Sequence, residues 1–230
     1  MVHRAAVILS ALVGIAISLP REAISPIGND SPGHPGHMPK RTTVAASCLP
    51  RDCSRGITFS RYINPFNPKS TIYQPFEPSV LSSLKPIDQG TTQTIYISAA
   101  DGVDSNAAIL WKTYLYVCQE GTYKFTSRHP KDTAMTWLGE EHTKKPTVEN
   151  ADIGQFDGVS SLNEDMTVER ALLAGTIYPI TTLWGNNGVD GFVELGIEGP
   201  DGDMVNGSEG SGAYFVTRTC GSNSEGELKV

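Results

Sequence analysis

Histidine and cysteine side chains are the main protein ligands of zinc, and they perform much of enzymatic acid–base and nucleophilic chemistry. This chain of 230 residues contains five histidines and four cysteines. His3, His34 and His37 stand near the N-terminus, and neither a His-Glu-x-x-His nor a Gly-x-Ser-x-Gly pattern occurs. Because these patterns place the metal ligands of zinc proteases and the nucleophile of α/β-hydrolases, we expect no enzyme of either class, and we predict a binding protein.

Two acidic clusters have simpler interpretations than a reactive site. Asp201-Gly202-Asp203 begins like a calcium-binding EF loop, but Val205 and the residues after it break the pattern, which favours a hairpin turn. Glu140-Glu141-His142 could form an acid–base group, but lysines follow it at once, so we predict a solvated loop.

The cysteines predict a disulfide framework. Cys48 and Cys53 open the central region, Cys118 lies in its middle, Cys220 near its end, and no Cys-x-x-Cys pair occurs. An even number of cysteines in a secreted chain indicates two disulfides. We expect Cys220 to pair with Cys48 or Cys53 and Cys118 to take the remaining partner.

The N-terminus indicates secretion. Residues 1–19 join a basic start to a short apolar run and resemble a signal peptide. Residues 20–47 are rich in Pro, Gly, Ser and His and predict a flexible linker or propeptide. Its Lys40-Arg41 pair is either a processing site or two solvated charges.

The tail and the net charge limit the possible partners. The tail 221–230 is polar, so we expect no lipid anchor. The net charge of −7 argues against nucleic acid or an anionic membrane as partner.

Short alternating segments separated by turn residues predict an all-β fold. About eight such strands are expected, and no long amphipathic helix. The predicted strands are 94–98, 114–118, 122–126, 134–138, 168–174, 178–184, 192–197 and 214–219. They indicate an antiparallel β-sandwich.

Asn206, in Asn-Gly-Ser on a predicted loop, is an expected N-glycosylation site.

Several segments in one order resemble the fungal GLEYA adhesin domain family over roughly residues 48–220. The residues that carry this resemblance are Cys53-Ser54-Arg55-Gly56-Ile57-Thr58-Phe59-Ser60, the stretch from Tyr114 to Thr126, Trp137-Leu138-Gly139, Asn150-Ala151-Asp152, Gly175-Thr176-Ile177-Tyr178-Pro179-Ile180, Trp184-Gly185-Asn186 and Gly199-Pro200-Asp201-Gly202. The resemblance implies a β-sandwich of the protective-antigen type that binds an extracellular glycan or a cell-surface glycoprotein.

The resemblance also implies a calcium ion held by two loops, one with adjacent aspartates and one with an asparagine and backbone carbonyls. Asn186 falls on the asparagine, while Gly188 and Asp190 fall on the carbonyl positions. The aspartate pair falls on Lys131 and Asp132. Since an ammonium group cannot ligate calcium and repels it, we expect a weak or lost calcium site made of Asp132, Asn186, Gly188 and Asp190.

Two functions follow as expectations. The first is a secreted or cell-wall carbohydrate-binding module whose ligand contacts come from Lys131, Asp132, Trp184, Asn186 and Asn187. The second is a secreted interaction or structural protein that kept the sandwich and lost metal-dependent glycan binding. For Trp184 the alternatives are stacking on a sugar ring and burial in the core.

Overall fold

The fold is taken from a computed structural model that describes residues 48, 53–66, 76–99, 105–128, 130–155, 164–188, 191–207 and 212–217. The expected signal peptide (1–19), linker (20–47) and polar tail (221–230) lie outside the described residues, as do Asp190 and Cys220. Neither helix in the described ranges is long and apolar enough to cross a membrane.

The described residues form strands with two short helices. The strands are β1 (Ile57–Ile63), β2 (Asp88–Thr92), β3 (Tyr96–Ala99), β4 (Ala107–Tyr116), β5 (Gly121–Ser127), β6 (Thr133–Leu138), β7 (Ile153–Gln155), β8 (Met166–Leu172), β9 (Ile177–Asn186), β10 (Gly191–Glu198), β11 (Met204–Asn206) and β12 (Phe215–Val216). The helices are α1 (Pro78–Leu81) and α2 (Gly139–Lys144). The predicted all-β class is confirmed, and each predicted strand overlaps an observed one.

The strands form two antiparallel sheets. The larger has the order β2-β1-β4-β9-β6-β7, with β12 also paired to β4. The smaller has the order β11-β10-β5-β8, with β3 also paired to β10. Apolar side chains from both sheets meet in one hydrophobic cluster, which includes Trp111, Phe125, Trp184 and Ile197. This is the antiparallel β-sandwich that the alternating segments predicted.

The outer face of the larger sheet is also covered. Tyr62, Leu110, Met135, Trp137 and Leu183 form a second buried cluster with Phe66, Phe76 and Leu81. Strand β9 is therefore buried on both faces over most of its length. A strand enclosed in this way holds its last residues, Trp184 to Asn186, in fixed positions at one end of the sandwich.

The first disulfide joins Cys48 to Cys118, and Cys53 is disulfide-bonded as well. Cys48–Cys118 agrees with the expectation that Cys118 pairs with one of the two N-terminal cysteines. A cross-link over a long loop stabilises the fold by roughly 2–5 kcal/mol.

The segment Glu140-Glu141-His142 is not the solvated loop that was predicted. It lies within residues 139–144, which form the short helix α2.

Candidate functional site

Two loops meet where β6 begins and β9 ends. These antiparallel neighbours pair Thr133 with Gly185 and Ala134 with Trp184. Continuing this register by one step places Asp132 beside Asn186. The sheet therefore brings the loop before β6 and the loop after β9 together, although more than 50 residues of sequence separate them.

Asp132 joins the two loops through its carboxylate. Its Oδ2 accepts hydrogen bonds from the backbone N–H groups of Asn187 at 2.5 Å and Gly188 at 3.3 Å. Asn186 adds a local contact, because its Oδ1 accepts a hydrogen bond from the Gly188 N–H at 2.8 Å. Asp132 has a backbone φ of 68°, in the left-handed region that Asp and Asn tolerate better than most residues. We call this set of contacts between Asp132 and residues 186–188 the loop clamp.

Trp184 supports the loop clamp from beneath. Its ring is fully buried in the hydrophobic cluster between the sheets, and its Nε1–H donates a hydrogen bond to the Lys131 carbonyl oxygen at 2.9 Å. The Lys131 N–H in turn donates to the Phe192 carbonyl oxygen at 2.8 Å. A ring without exposed surface cannot stack on a sugar, so of the two alternatives for Trp184 the structure has burial in the core, and the ring positions the loop.

Gly191 allows this packing at the start of β10. A Cβ atom at this position would lie 2.7 Å from the Trp184 ring and 2.9 Å from Asn186 Nδ2. Both distances are shorter than van der Waals contact. A side chain at position 191 would therefore displace Trp184 or Asn186, and the loop clamp with them.

Asn64 is a site residue that sequence reasoning missed. Its buried Nδ2 donates to Asn187 Oδ1 at 2.8 Å and to the Asn186 carbonyl oxygen at 3.2 Å. Its Oδ1 accepts from the Phe66 N–H at 2.9 Å, an Asx turn at the end of β1. An asparagine directly before Pro65 was the only local signal, and it indicates a turn without indicating what the amide faces.

The exposed part of the site is small and polar. Lys131 and Asn187 are exposed, Asp132 and Gly188 are half-buried, and Asn186 is fully buried. The loops thus present an ammonium, an amide and part of a carboxylate to solvent, above a rigid base formed by Trp184, Asn64 and Asn186.

The described residues of the two loops supply few free oxygen ligands for a calcium ion, and Asp190, one of the expected ligands, lies outside them. Calcium takes six to eight oxygen ligands, and Asp132 supplies the single carboxylate of the two loops as described. Asp132 Oδ2 and Asn186 Oδ1 are both engaged by backbone N–H groups of the second loop. Within the described ranges, no group of three or more His, Cys, Asp or Glu side chains could hold a metal ion. In the arrangement described here, amide donors join the loops directly.

Asn206 lies in β11 and not on a loop, which corrects its predicted placement. It is fully buried, its Nδ2 donates to the Leu195 carbonyl oxygen at 2.7 Å, and its Oδ1 accepts from the Ile95 N–H at 3.3 Å. Asn206 therefore connects β11 to β10 and to the start of β3. Its glycosylation stays a prediction.

A second polar cluster surrounds Asp152 near α2. The buried Asp152 carboxylate accepts hydrogen bonds from the Leu138 N–H at 2.7 Å and from Arg170, and His142 Nδ1 lies 2.8 Å from its Oδ2. Burial is the main cause that raises the pKa of the neighbouring Tyr178 phenol, while the positive charge of Arg170 opposes this shift. Arg170 on β8 and Leu138 on β6 belong to different sheets. Asp152 therefore ties the two sheets together at this edge of the sandwich.

Comparisons with known proteins agree with this architecture. Residues 107–199 match the GLEYA domain family. The A domain of epithelial adhesin 6 from Candida glabrata, solved in complex with Galb1-3GlcNAc, has a TM-score of 0.59 at 15% identity, covering 77% of this chain and 93% of that chain. The epithelial adhesin 9 A domain from the same organism, solved with Galb1-4GlcNAc, has a TM-score of 0.52 at 15% identity, covering 69% and 90%. No curated protein matches the sequence significantly.

At 15% identity these likenesses show a shared fold. They confirm the β-sandwich, and the family match confirms the resemblance drawn from the sequence motifs. Both loops of the candidate site fall inside the matched range. The segment 107–199, from the start of β4 to just past β10, is therefore similar to the GLEYA domain family.

Proposed function

We propose that this chain is a secreted carbohydrate-binding adhesion module that holds its glycan at the loop clamp without a calcium ion. The observation that carries the proposal is the direct contact between Asp132 and the N–H groups of Asn187 and Gly188. The fold and family support the glycan class, since the two adhesin A domains were solved with galactose-containing disaccharides. The clamp supports metal independence, because it holds the loops together by hydrogen bonds.

The charge of the site favours an acidic glycan. Lys131 is exposed at the mouth of the clamp, next to the exposed amide of Asn187. An ammonium group attracts carboxylate or sulfate groups, and it disfavours a divalent cation at the same place. We propose a sugar that bears a carboxylate or a sulfate, with hydroxyl groups bonded to the Asn187 amide.

A glycan array with the secreted protein tests this function. We expect binding to acidic glycans that is equal in calcium and in a chelator. A Lys131→Gln variant should bind these glycans more weakly by about tenfold while its binding to neutral glycans is unchanged. Binding that disappears in the chelator would overturn the metal-independent mechanism, and an array without any bound glycan would overturn the carbohydrate class.

Titration calorimetry tests the metal question separately. Wild-type protein is expected to bind calcium no more tightly than about 0.1 mM, the tight end of the range for extracellular calcium sites. Lys131→Asp restores the second carboxylate, and we expect this variant to bind calcium more tightly than wild type. Tight calcium binding by the wild type would contradict the proposal.

A second candidate is a secreted interaction or structural protein that kept the sandwich and lost glycan binding. The burial of Trp184 favours it, because no sugar-stacking ring remains at that position of the clamp. Proteins captured on the cell surface by the wild type but not by Asp132→Ala, together with an empty glycan array, would support this candidate.

Secretion belongs to the same proposal. Residues 1–19 are expected to be removed as a signal peptide, and Lys40-Arg41 remains a candidate processing site. N-terminal sequencing of the protein recovered from culture medium would decide both points. A mature N-terminus at Met1 would contradict the signal peptide.

A further inference from the structure

The outer face of the smaller sheet carries a polar row that the loop clamp does not use. Alternation along the strands determines this face. Tyr123 and Phe125 on β5 point into the core, so Lys124 and Thr126 point outward. Leu195 and Ile197 on β10 also point inward, which turns Gly196 and Glu198 to the same outer face.

The strand register aligns these residues across three strands. Gly196 on β10 pairs with Thr126 on β5, which pairs with Thr167 on β8. The two threonine hydroxyls lie 3.1 Å apart and are hydrogen bonded. Two residues further along the strands, Glu198 on β10 pairs with Lys124 on β5.

Gly196 leaves a groove in this face. A Cβ atom at position 196 would lie 3.6 Å from the Met204 methyl group and 4.0 Å from Arg128 Nε. The groove above it has a volume of about 260 Å³, and its lining includes two cationic side chains, Lys124 and Arg128, and two anionic ones, Asp165 and Glu198. Its floor is the Gly196 backbone, and the Thr126 and Thr167 hydroxyls form part of its wall.

An aromatic pair lies further along the same face. Tyr96 on β3 pairs with Glu194 on β10, and its ring meets Phe192 edge-on with the centroids 6.2 Å apart. Arg128 reaches Glu194 at 3.8 Å and so stands between this pair and the groove floor. Tyr96 is 37% exposed and offers an apolar surface next to a polar groove.

We propose that this groove is a second binding site, which takes one sugar unit of a neutral saccharide. Each sugar hydroxyl both donates and accepts a hydrogen bond. Carboxylates accept such bonds, ammonium and guanidinium groups donate them, and threonine hydroxyls do both. The lining carries two cations and two anions, and Glu194 beside Arg128 adds a third carboxylate, so the groove does not favour an anionic ligand. Its volume lies just below that of pockets for drug-sized ligands, which suits a single ring.

The test uses the full secreted chain and two-dimensional 1H–15N spectra. The probes are the methyl glycosides of glucose, galactose, mannose and N-acetylglucosamine, each added to millimolar excess, with N-acetylneuraminic acid as the acidic comparison. We expect at least one neutral glycoside to shift the amide signals of Thr126, Thr167 and Gly196. The same shifts should persist in Asp132→Ala, which removes the loop clamp and leaves the groove intact.

The substitution Gly196→Val fills the groove. A Cβ at this position makes only ordinary contacts, and valine suits a strand, so we expect a folded protein whose affinity for the neutral glycoside is lower by about tenfold or more. Gly196→Ala is the matched control and should lose much less affinity. Arg128→Gln keeps the space open and replaces the guanidinium group by a shorter, neutral amide with fewer donors, so it tests the site independently if Gly196→Val does not fold.

Two outcomes would overturn the second site. One is the absence of any shift at the groove with all four neutral glycosides, and the other is a shift that survives Gly196→Val unchanged. If shifts occur only at the loop clamp, the groove proposal fails while the proposed adhesion function stands. If the neutral glycosides shift the groove signals and N-acetylneuraminic acid shifts no signal at the loop clamp, the groove stands and the proposed binding of carboxylate-bearing sugars at the loop clamp fails instead.

Discussion

Asp132 Oδ2 accepts a hydrogen bond from the backbone N–H of Asn187 at 2.5 Å, and this contact connects the loop before β6 to the loop after β9. The carboxylate thus takes hydrogen bonds directly from the opposite loop. This relationship leads to the first prediction.

Neutralising the Asp132 carboxylate should weaken the loop clamp. In Asp132→Asn the residue still tolerates a positive φ, but the hydrogen bonds to Asn187 and Gly188 lose their charge. We expect the free energy of unfolding to fall by about 1–3 kcal/mol. The free energy of glycan binding should fall by more than this. Urea denaturation and glycan titration measure the two effects. If NMR shows that the loops of this variant have become mobile while its affinity for the glycan is unchanged, the clamp does not form the binding site.

Trp184 and Trp137 form a matched pair for separating stability from binding. Both rings are fully buried, and each Nε1–H donates to a backbone carbonyl oxygen, that of Lys131 for Trp184 and that of Thr147 for Trp137. Substitution of either by Phe should lower the free energy of unfolding by about 1–3 kcal/mol, because the ring is smaller and a hydrogen bond is lost. Only Trp184→Phe should weaken glycan binding, because only Trp184 holds the 131–132 loop. Equal losses of affinity in both variants would contradict this role.

Asp152 should contribute more to stability than an exposed ionic group. Its side chain is 2% exposed, and its partners Arg170 and His142 are about one third exposed. Asp152→Ala leaves the Leu138 N–H and Arg170 without their acceptor, and we expect a loss of about 2–4 kcal/mol after allowing for solvent around the partners. Urea denaturation measures the loss. Glu169→Ala, at an exposed position of the same strand as Arg170, is the control and should change little. A similar small effect in Asp152→Ala would refute the structural role of the cluster.

Glycosylation of Asn206 should compete with the packing of β11. The Asn-Gly-Ser sequence predicts a glycan on Asn206 Nδ2, and this atom is buried and bonded to the Leu195 carbonyl oxygen. A glycan there must disrupt that contact, so the glycosylated domain should be less stable by about 1–3 kcal/mol than a Ser208→Ala variant without the acceptor sequence. Mass spectrometry gives the occupancy and thermal unfolding gives the difference. An unmodified Asn206 in the natively secreted protein would refute the acceptor prediction.

Cys220 is expected to bond to Cys53. The pairing of Cys48 with Cys118, together with the bonded state of Cys53, leaves Cys220 as the remaining cysteine of the chain. Peptide mapping without reduction should find a Cys53–Cys220 peptide. Detection of a free Cys220 thiol would contradict the pairing.

Much of the fold could be predicted from the sequence because strand formation depends on neighbouring residues. The alternation in Thr122 to Thr126 required one face toward a core and one toward water, and β5 has that arrangement. β1, β2, β7 and β11 were not predicted. β2 is almost entirely exposed, and β7 and β11 are only three residues long, so in these strands the pattern of apolar residues is weak.

The sequence by itself determined the types of residue in the candidate site, and the tertiary structure decided what each one does. The resemblance to the GLEYA domain family, counted from Trp137 and Trp184, implied the placement of Lys131, Asp132 and Asn186 in two loops. The contact of Asp132 with Asn187, the burial of Trp184 and the part played by Asn64 depend on how β1, β6 and β9 lie side by side. Hydrogen bonds and burial arise between residues distant in the chain, and only the packing of the two sheets brings those residues within reach of one another.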